Sequence, residues 1–224
     1  MRSSRDRIIG GLIVIFSLVG YVVGCKHDDS VPSSNGSNIV RGNLKVSLSS
    51  SKTTFDKAHS NVNWATPYLG ATSQLTGRFD NFGFYSFDFD ESNAAGIHFS
   101  AWVWLNTVNT SEPGRDDGCL LGTFGTSSGL TTEAANLATI TSTSVTLSTT
   151  DKGYNIKADL TFHGVTKQVS AKLDYVGTTL SGANNVYGFS LQFQMLAKTD
   201  FAIASTSIGD AVDVKCNAQI NVTQ

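Results

Sequence analysis

Residues 154–169 read YNIKADLTFHGVTKQV, and this segment carries the clearest structural pattern in the chain. Every second residue from Tyr154 to Phe162 is apolar, and the residues between them are polar. A period of two is typical of a strand with one buried face and one wetted face. The His163–Gly164 pair then predicts a tight turn, because glycine adopts positive φ without strain. A second alternating segment starts at Val165, so the sequence predicts an antiparallel hairpin.

The same alternation recurs along the chain and predicts an antiparallel sheet. No strand–helix–strand rhythm accompanies it, and closing such a sheet removes its exposed edges. The stretch 107–136 interrupts the pattern with Pro113–Gly114 and a Gly/Ser/Thr-rich run, and a short helix is predicted over 131–137. The predicted strands are 40–49, 61–68, 71–80, 82–90, 95–106, 138–149, 153–162, 165–176, 186–197 and 211–222.

Composition agrees with an all-β domain. The 224 residues include 51 Ser and Thr but only three Glu, so good helix formers are scarce. The formal net charge is −2 and 15% of residues are charged, which leaves no basic surplus for binding nucleic acid. One barrel or sandwich accounts for this length.

Two segments are apolar at positions of both parities. Trp102 and Trp104 oppose the apolar set that contains Phe99 and Val103, and the phenylalanines of 79–89 do not separate by parity. A sheet wetted on its outside alternates cleanly. We therefore expect a helix, the long loop, a second subunit or a ligand to cover the second face, and a homodimer is one of these alternatives.

The first 24 residues have the pattern of a bacterial lipoprotein signal peptide. Arg2, Arg5 and Arg7 precede an apolar run over 8–23, and the segment Val22–Cys25 resembles a lipobox. The alternative is an uncleaved anchor, but about sixteen apolar residues are short for a span that needs roughly twenty. We predict lipidation of Cys25, which would anchor the chain to the membrane.

The mature chain is predicted to comprise a flexible tether over 25–39 and one domain over 40–224. A Ser/Asn-rich run at 30–38 is typical of a flexible linker. The predicted location is the bacterial cell envelope. The outer membrane is favoured because residue 26 is Lys and not the Asp of an inner-membrane retention signal.

Two cysteines remain after Cys25. An even number in an oxidising compartment favours a Cys119–Cys216 disulfide, and two unrelated buried thiols are the alternative. The scattered histidines and the lack of a CxxC pair give no support for a metal site.

Several blocks of the sequence resemble the YceI-like family of polyisoprenoid-binding, lipocalin-like domains. The resemblance covers about residues 53–222 and is strongest over 154–169. Three departures cluster where the cavity would close: 117–120, Ala138 and Ala202. The other blocks that carry the resemblance are Asp56–Trp64, Gly77–Phe82, Arg115–Asp116, Thr199–Phe201 and Ile208–Val212.

The resemblance implies an antiparallel barrel of about eight strands whose apolar interior holds a long isoprenoid or similar lipid for transport or sequestration. A barrel of that size can enclose one small ligand. The alternative is a structural or adhesive surface module whose interior is filled by side chains. The predicted lining residues are Val62, Trp64, Phe79, Leu160, Phe162, Leu173, Tyr175, Phe189, Leu191, Phe193 and Val214.

A ligand with a charged head group would need polar partners at the mouth of the barrel. The candidates are His59, Arg115, Lys167 and Lys198, with solvated surface charge as the alternative for each lysine. His59 and His163 also raise the question of catalysis. A histidine in a tight turn usually bonds to backbone, and the sequence contains no nucleophile elbow or P-loop. We therefore predict a binding protein without a cofactor rather than an enzyme.

Overall fold

The computed structural model describes residues 39–117 and 136–224. Within these ranges the chain forms one antiparallel sheet that curls into a barrel. Short 3-10 turns occupy Ala94–Gly96 and Leu105–Thr107, and a single helical turn, α1, occupies Pro113–Arg115. The strands are β1 (Lys45–Ser47), β2 (Thr53–Tyr68), β3 (Ser73–Phe79), β4 (Phe82–Asp90), β5 (His98–Trp104), β6 (Val108–Asn109), β7 (Leu137–Leu147), β8 (Tyr154–Phe162), β9 (Val165–Ser181), β10 (Asn184–Leu196) and β11 (Ala211–Thr223).

The sheet order is β1-β4-β5-β7-β8-β9-β10-β11-β2-β3-β6, and two bent segments bring its ends together. β3 and β4 follow each other across a bend at residues 80–81, and β5 and β6 follow each other across the 3-10 turn. The bent segments pair on both sides of the corner, at Phe79–Val108 and at Phe82–Val103. Counting each bent segment once and leaving out the short β1 gives eight ribbons in a closed cycle. The predicted all-β antiparallel barrel is confirmed.

Backbone hydrogen bonds carry the pairing through the corner. The Asp80 N–H donates to the Thr107 carbonyl at 3.0 Å, and the Trp104 N–H donates to the Asn81 carbonyl at 2.8 Å. The corner is thus a bend in a continuous wall and not a gap between two sheets.

The hairpin predicted at residues 154–169 is present. Its two turn residues both have positive φ, 55° at His163 and 70° at Gly164, which is the type I′ geometry that suits the twist of a hairpin. Tyr154, Ile156 and Leu160 point into the barrel and are buried.

The phenylalanines of 79–89 do not occupy every second position because the strand is locally irregular. The bend at 80–81 and a bulge between Phe84 and Ser86 each shift the alternation. As a result Phe82, Phe87 and Phe89 are all buried, whereas Tyr85 is turned outward and is 62% exposed. The expectation that both faces of this segment are covered was wrong for 79–89.

Trp102 keeps an outward position and lies on its own sheet. A Cβ placed on Gly83 would come within 2.9 Å of the Trp102 ring, so glycine is required there for the indole to lie flat. Trp102 is consequently half-buried.

One end of the barrel is closed by side chains. The Tyr154 side chain is fully buried and its hydroxyl donates to the Glu91 carbonyl at 2.8 Å. The Arg41 guanidinium lies 5.5 Å from the Tyr154 ring centroid and donates to the carbonyls of Ser148 and Asp151. Burial is the main reason that the pKa of Tyr154 is raised.

Candidate ligand-binding cavity

An apolar cavity occupies the barrel interior between the plug at Tyr154 and the opposite end. The cavity has a volume of about 120 Å³ and an open mouth. None of the lining residues carries a charge. A dry apolar cavity of about 150 Å³ holds a molecule the size of benzene, so a longer apolar chain requires the walls of this cavity to move apart.

The cavity collects most of the residues that the sequence predicted for it. Tyr175 is the exception: it lies outside the lining and packs against Phe89, Tyr187 and Phe189. Contact with a ligand stays a prediction for the other ten. The predicted residues that line the cavity are Val62, Trp64, Phe79, Leu160, Phe162, Leu173, Phe189, Leu191, Phe193 and Val214.

The sequence prediction missed lining residues of β4 and β5, and Phe55 of β2. In β4 the bend and the bulge disturb the period-two alternation that would identify them. In β5 the alternation is intact, and Phe99, Ala101 and Val103 share one apolar face that lines the cavity. The residues missed include Phe55, Phe82, Phe84, Phe87, Phe99, Ala101 and Val103.

Cys216 is part of the cavity wall and is a free cysteine. Burial raises the pKa of its thiol to about 12. Cys216 thus forms no disulfide in the structure, and the predicted bond to Cys119, which lies outside the described residues, is not shown.

The four predicted head-group residues do not line the cavity. Contact of any of them with a head group at the mouth stays a prediction. His59 is an exposed side chain whose Nδ1 lies 2.9 Å from the Asp56 carboxylate. Arg115 donates from Nε to the Thr110 hydroxyl at 3.0 Å, in a loop that Asp116 also fastens. In the structure, His59 and Arg115 thus bond to neighbouring residues of the chain.

Lys167 and Lys198 each lie close to the end of a strand. Lys167 is exposed near the β8–β9 turn. The backbone N–H of Lys198 donates to the Asp210 carboxylate at 2.7 Å. Hydrogen bonds from Thr199 are the largest cause of the lowered pKa of Asp210.

The Asp56–Ser60 motif forms a large bulge in β2. Asn61 pairs with Asn217 and Asp56 pairs with Gln219, so residues 57–60 stand opposite the single residue Ala218. We call residues 57–60 the bulge. The Ser60 hydroxyl accepts from the Gln219 N–H at 2.9 Å and so replaces a missing backbone acceptor.

The Asp56 carboxylate holds the bulge together. It accepts hydrogen bonds from the His59 ring and from the amide side chains of Gln219 and Asn221. The His59 bond is the largest cause of the lowered pKa of Asp56. Because the Ser60 hydroxyl is committed to backbone partners, the Asp56–His59 pair does not act on it as a catalytic relay.

The bulge separates β2 from β4 along one side of the barrel. β2 pairs with β11 and β3, and β4 pairs with β1 and β5, so no backbone ladder in the described sheet joins residues 55–61 to residues 82–86. We call this unpaired line the seam. Phe55 crosses it, with ring centroids 6.1 Å from Phe82 and 5.0 Å from Phe84.

Lys57 also crosses the seam. Its Nζ donates to the Asn81 side-chain oxygen at 2.9 Å and lies 5.6 Å from the Phe82 ring centroid. Seam residues Phe55, Asn61 and Phe84 belong to the cavity lining, so the cavity extends to this line.

The described ranges contain neither a metal-ligand cluster nor a membrane-spanning helix. Across residues 39–117 and 136–224, no three His, Cys, Asp or Glu side chains come together as metal ligands. No helix in these ranges is long and apolar enough to cross a membrane.

Comparison with known proteins relates the chain to one family. The model of the YceI-like domain matches residues 54–220. A UPF0312 protein of Vibrio vulnificus is 32% identical over 123 residues, which are 54% of this chain and 59% of the relative. A UPF0312 protein of Vibrio campbellii is 33% identical over the same share of each chain. The chain therefore spans less than two thirds of the length of these relatives.

Solved structures share the fold at low identity. BcnA of Burkholderia cenocepacia has a TM-score of 0.56 at 17% identity, covering 74% of this chain and 99% of its own. A polyisoprenoid-binding domain of Saccharophagus degradans, implicated in plant cell wall breakdown, has a TM-score of 0.50 at 17% identity, covering 77% of this chain and 99% of its own. At these identities the likeness extends to the fold alone.

Proposed function

Because the chain belongs to the YceI-like domain family, we propose that it is a lipid-binding protein whose barrel holds a long apolar ligand such as a polyisoprenoid, for transport or sequestration. The observation that carries the proposal is the uncharged cavity inside the barrel. The polyisoprenoid-binding domain of Saccharophagus degradans, which shares the fold, supports the same ligand class.

The energetics of such a site are favourable without polar contacts. Each buried CH₂ group contributes about 0.8 kcal/mol, so ten of them contribute about 8 kcal/mol, which corresponds to a micromolar dissociation constant before the cost of association. An isoprenoid chain is branched and apolar along its whole length, so it matches a wall built from Phe, Leu and Val.

We also propose that the protein works at a membrane surface. In this proposal the signal peptide 1–24 is removed, Cys25 is acylated and the tether 25–39 lets the domain reach lipids in the envelope. The pattern of Arg2, Arg5 and Arg7 before an apolar run that ends at Cys25 supports it. Mass spectrometry of the protein from its host would identify an acylated N-terminal Cys25.

The binding proposal predicts that filling the cavity abolishes binding. Ala101 lines the cavity, so Ala101→Phe should lower affinity for N-phenyl-1-naphthylamine, a neutral apolar fluorophore, by at least about tenfold. The matched control is Gln168→Phe, which adds the same ring to an exposed position on β9 and should change affinity less than about twofold. Fluorescence titration of the delipidated protein measures both.

A second measurement tests the proposal on the wild-type protein alone. Lipid extraction and mass spectrometry of protein from its own host should reveal a long-chain apolar molecule in near-stoichiometric amount. A folded wild-type protein that binds no fluorophore and carries no lipid would contradict the proposal and favour the structural module with a filled barrel.

A further inference from the structure

We propose that the ligand enters at the seam and carries an anionic head group, a carboxylate or a phosphate, that binds Lys57. This inference rests on the proposed function, because it requires a ligand in the cavity. The positive charge in this proposal is Lys57, which is not among the four head-group candidates that the sequence offered.

The first step is that Lys57 lies against a residue of the cavity wall. The cavity wall at this point is Phe82, which is 8% exposed. The Lys57 ammonium lies 5.6 Å from the centroid of that ring, and the side chain itself is exposed to solvent. A head group beside Lys57 would thus stay hydrated while its chain continues past Phe82 into the apolar space.

The second step is that the seam can open at small cost. Two kinds of contact between described side chains close the seam. The Phe55 ring packs against Phe82 and Phe84, and Lys57 donates a hydrogen bond to Asn81 at 2.9 Å. Moving Phe55 or Phe84 aside would break no backbone hydrogen bond, because β2 and β4 share no ladder there. Entry through any paired wall would instead break several such bonds, each contributing about 1 kcal/mol.

The third step concerns charge. An ammonium has three N–H donors, and the Asn81 oxygen accepts one, which leaves two for an anionic oxygen. Asp80 is an acidic neighbour that attracts the Lys57 charge. Burial raises the pKa of Asp80, and hydrogen bonds from Asn109 and Arg78, both at 2.7 Å, together with the charges of Arg78 and Lys57 outweigh this and lower it. A ligand anion would therefore share Lys57 with a carboxylate that already has two other partners.

Polar amides continue the site into the cavity. Asn61 and Asn217 line the cavity next to the bulge, and the Asn217 amide donates to the Asn61 oxygen at 2.9 Å. Each amide group carries two N–H donors, so Asn217 keeps a second donor for an oxygen of the ligand.

The test compares charged and neutral ligands with identical chains. Oleic acid and oleyl alcohol form one pair, and farnesyl phosphate and farnesol form the other, each displacing N-phenyl-1-naphthylamine from the purified full-length protein. Lys57→Gln should weaken binding of the acid or the phosphate about tenfold and of the matching alcohols less than about twofold. Lys57→Arg, which keeps the charge, should preserve most of the affinity.

The control is Lys157→Gln. Lys157 is also exposed and also donates one side-chain hydrogen bond to a neighbouring strand, at 2.7 Å to Ser170. Unlike Lys57, which lies over the cavity residue Phe82, it bonds to a residue outside the cavity lining. Its loss should leave all four affinities unchanged. A selective loss with oleic acid assigns a carboxylate head group, and a selective loss with farnesyl phosphate assigns a phosphate.

Failure of the inference and failure of the proposed function are distinguishable. If Lys57→Gln leaves the acid and phosphate affinities unchanged, or weakens acids and alcohols equally, the head-group assignment is overturned while lipid binding stands. If the wild-type protein binds none of the four ligands, the proposed function fails first.

Discussion

Cys216 places a reactive group in the wall of an apolar cavity, where its chemistry reports on the interior. Its neighbours Val214 and Ala218 lie on the same face of β11 and also line the cavity. A thiol in such surroundings resists ionisation because the charged form loses its hydration. Here the pKa rises from 9.0 to about 12.

This burial predicts slow alkylation of Cys216 in the folded protein. At pH 8 the thiolate fraction falls by about three orders of magnitude when the pKa rises from 9.0 to about 12, so iodoacetamide should react about a thousand times more slowly than in denaturant. Peptide mass spectrometry measures the rate, and a Cys119→Ser variant serves as the control. Rapid labelling of the folded protein would contradict the position of the thiol.

The same experiment tests the predicted disulfide. A thiol that reacts in denaturant without a reductant is free, whereas one that reacts only after reduction was paired with Cys119. The raised pKa also sets the direction of the pH effect. The stability contributed by the protonated thiol is complete below pH 9.0 and is lost as the pH rises toward about 12.

At the scale of single residues, the alternation of apolar and polar residues predicted which side chains point into the barrel. It did not predict where a charged side chain would lie near the cavity. Ten lining residues could be identified from strands in which alternation is unbroken, such as Leu160 in β8 and Leu191 in β10. Lys57 could not, because its position over Phe82 depends on a bulge that takes residues 57–60 out of the ladder. Contacts between distant parts of the chain leave no period in the sequence.

At the scale of elements, the bulge in β2 is the feature on which the site depends. It opens the seam, and it directs Lys57 toward Asn81 and Phe82. The bonds that maintain it converge on Asp56 and not on the more prominent His59, whose side chain is 69% exposed compared with 20% for Asp56.

Asp56→Ala should therefore destabilise the protein more than His59→Ala. The Asp56 variant leaves the amides of Gln219 and Asn221 without their acceptor and should lower the free energy of unfolding by about 1–3 kcal/mol, whereas His59→Ala should cost less than about 1 kcal/mol. Urea unfolding with unchanged m-values measures both. An equal or larger loss for His59→Ala would contradict this ranking.

The pH dependence of this pair has a defined sign. Because the folded state lowers the pKa of Asp56, the stability that its carboxylate contributes is present above the unfolded-state pKa of 3.8 and is lost as the pH falls below it. The difference between wild type and Asp56→Ala should accordingly shrink in acid.

At the scale of the whole molecule, the barrel is a closed cycle of unequal strength. Periodicity predicted ten strands and the family resemblance implied about eight, but neither predicted the corner. The bend at 80–81 joins β3 to β4, and the 3-10 turn at 105–107 joins β5 to β6. The two ends of the sheet meet because Phe79 of β3 also pairs with Val108 of β6. The resulting β3–β6 ladder is confined to Arg78 and Phe79, whereas β9, β10 and β11 are joined along most of their length.

Hydrogen–deuterium exchange should reveal this inequality. Amides in residues 82–86 and in the bulge should exchange at least about tenfold faster than those of β10, because local opening is easiest where backbone ladders are absent or short. Phe84→Ala removes one ring from the seam and should accelerate exchange there while leaving β10 unchanged. A bound anionic lipid should slow exchange at the seam first, since it would occupy the space between Phe55 and Phe84. If β10 opens before the seam, or if the ligand protects only the end of the barrel near the His163 turn, then entry does not occur between β2 and β4.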